Sequence, residues 1–200
     1  MSEFIHNYVA GSSGRTVLAL HGTGGSERDL VPLAQSLFPG ANVLSPRGKV
    51  SERGAARFFR RLAEGVFDLE DLHRQTDDVA DFVTSAAQQY GFDVSNVWAI
   101  GYSNGANIAA SLLLQRSEVL AGAVLLRAMT PFTPDSVLNL SGKRLFLAAG
   151  RFDPLVAVND VESLARLFRE GGAEVELRFQ DAGHELAREE IGTIQSWLGL

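Results

Sequence analysis

Two hydrophobic rhythms alternate along this chain. Short strand-like runs occupy residues 16–20, 42–45, 97–100, 122–126, 144–148 and 174–179. They read as strands. Between them, apolar positions return every three or four residues, the spacing of one helical face. Over 71–90 these positions are Leu72, Thr76, Val79, Val83, Ala86 and Tyr90. Over 160–170 they are Val161, Leu164, Ala165 and Phe168, with Gly171-Gly172 placed to end the helix in a left-handed cap. A last helix over 186–198 turns Ile191, Ile194 and Leu198 inward, and 103–114 is apolar nearly all round, as in a central buried helix. Strand and helix in alternation predict a mostly parallel sheet of about seven strands with helices on both faces. A weaker run at 5–9 supplies the seventh strand. The turn Gly11-Ser12-Ser13-Gly14 predicts that it forms an antiparallel hairpin with 16–20. From 46 to 70 neither rhythm holds. A long irregular stretch after a strand falls at the carboxyl edge of the sheet, where open α/β folds bind ligands.

Composition narrows the picture. With 200 residues, 46% hydrophobic and 21% charged, the chain is expected to form one domain over 1–200 with one substantial core. It has no cysteine, which removes disulfides, a thiol nucleophile and thiolate metal sites. No run approaches the roughly 18 apolar residues of a membrane span. The start, Met1 to Asn7, lacks a basic segment followed by an apolar one, so the expected location is the cytoplasm. The net charge of −6 argues against nucleic acid as a partner. Arg47, Lys49, Arg53, Arg57, Arg60 and Arg61 form a local basic cluster against that background.

The chemistry centres on Gly101-Tyr102-Ser103-Asn104-Gly105. A serine between a buried strand and a helix, with glycine two residues to either side, has the form of a nucleophile elbow. A serine hydroxyl needs a base, and an imidazole base needs a carboxylate to orient it. There are four histidines. His6 lies on the weak first strand, His73 at the start of a helix where a solvated side chain is expected, and His21 in a glycine-rich loop with another task. His184 remains, in the loop after the last strand. The candidate carboxylate is Asp153, in the turn after the strand at 144–148; Asp181, three residues before His184, is the rival. The order Ser103, Asp153, His184 is the one that elbow folds use. Two backbone N–H groups are needed for the oxyanion. Asn104, at a helix N-terminus, offers one. Thr23, in His21-Gly22-Thr23-Gly24-Gly25-Ser26, is expected to offer the other. That loop lacks the lysine of a phosphate-binding P-loop.

These motifs resemble the α/β-hydrolase fold, and within it the phospholipase/carboxylesterase family. The resemblance runs through Leu20 to Gly25, Ser45-Pro46-Arg47-Gly48, Gly101 to Gly105, Gly150 to Pro154 and Gly183-His184-Glu185-Leu186. The stretch from Arg57 to Asp68 is similar to a bacterial subgroup of small carboxylesterases. The resemblance implies Ser103, Asp153 and His184 as a triad, Thr23 and Asn104 as the oxyanion hole, and a metal-free acyl-enzyme reaction without a cofactor. Two departures carry weight. The thioesterase branch usually has glutamine after the serine, where this chain has Asn104, and the long lipase lid is missing.

A small-molecule ester is therefore the expected substrate, with short acyl chains or small aromatic esters favoured. No membrane insertion is expected, and a homodimer stays open. Phe58, Phe59, Phe67 and Leu69 are candidates for one apolar wall of the pocket, and Met129, Pro131 and Phe132 for another. Arg47, directly after a strand, is the candidate for holding an anionic group, unless it pairs with a nearby acid. A thioesterase or acyltransferase could use the same triad, and a non-catalytic binding protein could use the same fold.

Overall fold

The computed structural model describes residues 4–135 and 137–200. Met1 to Glu3, part of the N-terminal stretch read above, lie outside the described residues. Seven strands form the central sheet: β1 (His6–Val9), β2 (Thr16–Leu20), β3 (Asn42–Pro46), β4 (Val97–Tyr102), β5 (Gly122–Leu126), β6 (Arg144–Gly150) and β7 (Glu174–Gln180). Their order is β1-β3-β2-β4-β5-β6-β7, and all neighbours are parallel except β1 and β3. The helices are α1 (Val31–Leu37), α2 (Leu69–Tyr90), α3 (Asn104–Gln115), α4 (Val158–Glu170) and α5 (Arg188–Leu198).

Alternation along the strands decides which helix covers which face. Leu18, Leu20, Ala99, Leu125 and Leu147 point to one side and pack with Val79 and Val83 of α2, Ile108 of α3 and Leu164 of α4. Their neighbours Val17, Ala19, Ile100, Val124 and Phe146 point to the other, against Val31 and Ala34 of α1 and Ile194 of α5. Both faces of the central strands are thus dry. That is why they read as unbroken apolar runs rather than as alternating ones.

The expected hairpin between the first two strands does not form. β1 pairs antiparallel with β3, His6 opposite Pro46, and β3 lies between β1 and β2. The glycine-rich turn instead passes over the start of β3. Ser12 and Ser13 N–H both donate to the Gly40 carbonyl, and Gly11 N–H donates to Asn42 Oδ1 at 2.8 Å. A Cβ on Gly11 would overlap the Gly40–Ala41 backbone. The glycine serves this close approach and not a hairpin turn. At the end of α4, Gly172 rather than Gly171 takes the left-handed conformation.

The irregular stretch resolves into two small hairpins. Val50–Glu52 pairs with Ala55–Arg57 around Arg53-Gly54, both with positive φ, as a two-residue turn matched to strand twist requires. Arg61–Ala63 pairs with Val66–Phe67. Side chains from elsewhere tie this stretch down. Gly48 N–H donates to His21 Nε2, Phe58 N–H to Asn104 Oδ1, and Arg60 N–H to Asp71 Oδ2. Among the described residues, no helix is long and apolar enough to cross a membrane.

Candidate active site

The register of the sheet brings the loops together. Leu20 lies opposite Gly101, and Tyr102 opposite Leu126, so β2, β4 and β5 end at nearly one level. Gly150 lies opposite Gln180, which sets the loops after β6 and β7 side by side. Thr23, Ser103, Arg127, Asp153 and His184 therefore share one edge.

Ser103 has φ 53° and ψ −115°, a conformation few non-glycine residues adopt. The flanking glycines explain how the turn survives. A Cβ on Gly101 would strike the Gly105 backbone, and one on Gly105 would strike the Leu20 carbonyl. Strand and helix meet at backbone contact, and the serine stands out between them. Eleven of the twelve α3 residues behind it, Asn104 to Leu114, are buried.

His184 Nε2 lies 2.9 Å from Ser103 Oγ, and His184 Nδ1 lies 2.8 Å from Asp153 Oδ2. An ionised carboxylate only accepts, so Nδ1 carries the proton and Nε2 accepts from the serine hydroxyl. The other Asp153 oxygen, Oδ1, accepts from Leu155 and Val156 N–H. Asp181 does not reach the imidazole. It is exposed and pairs with Arg151 at 3.2 Å.

The other histidines are accounted for. His21 is fully buried. Its Nδ1–H donates to the Gly22 carbonyl and its Nε2 accepts from Gly48 N–H, so it fastens the glycine loop to the irregular stretch. Burial holds this imidazole below its usual pKa, in the neutral form these contacts need. His6 bonds to Tyr90. His73, expected to be solvated, instead lies half-buried between Gln115 Oε1 and the edge of Phe132.

A cavity of about 410 Å³ opens over Ser103. Thr23, Asn104, His184, Phe67 and Met129 line it, together with Asn107, Tyr102, Leu155 and Val156. Asn104 is the first residue of α3, so its N–H has no partner inside the helix. The remaining pocket candidates lie elsewhere. Phe58 and Phe59 are core residues with 1% and 0% exposure. Phe59 stands edge-on behind Phe67 and supports the wall from inside. Phe132 packs on His73. Arg47 pairs with Glu27 at 2.6 Å and is not among the lining residues.

Residues that pattern reasoning passed over carry much of the construction. Arg127, 1% exposed and with φ 60°, follows β5 directly. Its guanidinium grips Glu190 through both carboxylate oxygens and donates to the Gly183 and Glu185 carbonyls on either side of His184. Tyr102 OH donates to the carbonyl of His184 itself. The one available signal was a lone arginine set directly against a wholly apolar strand. Arg57 and Arg61, from the basic cluster, also line the cavity, as does Glu64.

MhqD of Bacillus subtilis (strain 168) is 43% identical over 192 residues, which cover 96% of each chain. This chain belongs to the phospholipase/carboxylesterase family of α/β-hydrolases. It is a hydrolase of that family, whose chemistry is ester hydrolysis. The Bacillus cereus carboxylesterase superposes with a TM-score of 0.96 at 44% identity, covering 99% of this chain and 94% of the other. YahD, solved with malic acid, gives 0.94 at 30% identity and covers 98% of both. No family model matches the sequence.

Proposed function

We propose that this family member is a serine carboxylesterase that cleaves small or short-chain esters through an acyl-enzyme on Ser103. The observation that carries the reading is the unbroken chain of contacts from Ser103 Oγ through His184 to Asp153, 2.9 and 2.8 Å long. His184 Nε2 takes the serine proton as Oγ attacks the ester carbonyl. Asp153 keeps Nδ1 protonated and stabilises the imidazolium that forms. Thr23 and Asn104 N–H groups receive the oxyanion. His184 then gives the proton to the departing alcohol, and water repeats the sequence to release the acid.

A cavity of about 410 Å³ supports small substrates. It lies near the lower end of the roughly 300–1,000 Å³ of small-molecule sites. The malic acid of the relative YahD is a molecule of that order. The cytoplasmic location belongs to the same proposal, and cell fractionation checks it. A panel of 4-nitrophenyl esters from acetate to palmitate tests the size claim. Turnover should peak at six carbons or fewer, and a peak at palmitate would overturn it.

A further inference from the structure

The wall of the cavity carries charge that the triad does not use. Arg57 and Arg61 both line it. Arg57 is 4% exposed, yet its counter-ion is shared. Glu52 lies 3.3 Å from Arg57 Nε and accepts a two-pronged contact from Arg61 Nε and Nη2. Two guanidinium groups thus face one carboxylate. Arg57 Nε also donates to the Phe59 carbonyl and its Nη1 to Thr23 Oγ1 at 2.7 Å, while its Nη2 donates to no described residue. The placement of the acids matters as much as their number. Glu52, Glu190 and Asp153 are not lining residues; Glu64, on an exposed hairpin turn, is the one acid on the wall among the described residues.

We propose that Arg57 and Arg61 form an anion subsite, so that the preferred ester carries a second, free carboxylate. The inference rests on the esterase reading and names its substrate class. A guanidinium presents paired N–H donors in the geometry of a carboxylate. Burial costs Arg57 solvation, which one shared acid only partly returns, so an incoming anion gains more there than at an exposed arginine. The contact from Arg57 to Thr23 sets this subsite beside the loop expected to hold the oxyanion. A small bifunctional ester would therefore reach Ser103 and the arginines at once.

Two matched pairs of esters test the proposal. Mono-4-nitrophenyl succinate against 4-nitrophenyl butyrate puts the carboxylate on the acid part. 4-Butyryloxybenzoate against phenyl butyrate puts it on the alcohol part. In one of the pairs the charged ester should show a kcat/KM about tenfold higher at low salt, as expected of a charge-assisted contact. Arg61→Ala and Arg57→Met should each collapse that preference toward parity. Arg61 lies on the surface hairpin, so its variant keeps the test sound if the Arg57 variant fails to fold. Calorimetry on Ser103→Ala with methyl hydrogen succinate and methyl butyrate gives a readout independent of turnover, and the half-ester should bind more tightly. Selective binding without hydrolysis of any ester would support the subsite while refuting the esterase reading. Indifference to charge in both pairs and in binding, or a preference that survives both substitutions, would overturn the subsite.

Discussion

The two sides of the cavity are held by different means. On one side stand the strand-end loops: the elbow, the aspartate turn and the histidine loop. Backbone packing fixes the elbow, through contacts so close that a Cβ on Gly101 or Gly105 has no room, while the buried Arg127 together with Tyr102 holds the carbonyls around His184. On the other side stands the stretch from Val50 to Phe67, two hairpins of two- and three-residue strands. A close backbone approach of Gly48 to Arg57 and the buried rings of Phe58 and Phe59 anchor them, and side-chain bonds do most of the rest: His21 to Gly48, Asn104 to Phe58, Asp71 to Arg60 and Arg57 to Thr23. The first side carries Ser103, Asp153 and His184. The second lines the same cavity with Arg57, Arg61 and Phe67.

This comparison can be broken at graded strengths. His184→Ala removes the base from the rigid side and should lower kcat by about 10⁴-fold or more with little change in secondary structure. Steady-state kinetics alongside circular dichroism would show it. Glu190→Ala strips the partner from the buried Arg127 guanidinium, whose side chain has no exposure. Unfolding in urea should reveal a loss of about 3–5 kcal/mol. Activity should fall as well, because Arg127 also grips both carbonyls flanking His184. Asn104→Ala leaves the backbone N–H in place but frees the Phe58 N–H buried beneath the hairpins. It should cost about 1–3 kcal/mol and change KM more than kcat.

The smallest effect concerns pH. His21 is held neutral by burial, whereas in the unfolded chain it titrates near 6.5. Below that pH the unfolded state binds a proton that the folded state refuses, so stability falls as pH drops. Urea midpoints at pH 7.5 and 5.5 should differ in this direction, and His21→Asn should flatten the difference. An unchanged slope in that variant would remove His21 as the clasp between the two sides.

Legibility in the sequence divides along the same line. The elbow and Asp153 follow strands that announce themselves by apolar runs, and His184 follows one that alternates charged and apolar residues, so their convergence followed from local pattern and chain order. The inward faces of α2 and α4 were readable for the same reason, as Leu72, Val79, Val161 and Phe168 are all buried. The hairpin side offered no period to read, because strands of three residues are too short to show alternation. Which arginine faces the cavity was equally hidden: Arg47 and Arg57 look alike in sequence, and only the fold puts Glu27 beside the first. Phe58 and Phe59 carry the same lesson, since an aromatic in an irregular stretch is as readily its anchor as its binding face. The helix α1 escaped notice because it spans only seven residues and its N-cap Leu30 makes no capping side-chain bond. The partner of β1 was set by contacts between distant residues, which the local turn Gly11 to Gly14 only mimicked.

The central claim is that Ser103 is an activated nucleophile. Treating the native protein with a fluorophosphonate and mapping the adduct by mass spectrometry tests it most directly. The account predicts one modification, on Ser103, that forms at least about 10³-fold more slowly when His184 is replaced by alanine. A native protein that stays unlabelled at Ser103, or labels there just as fast without His184, would contradict it.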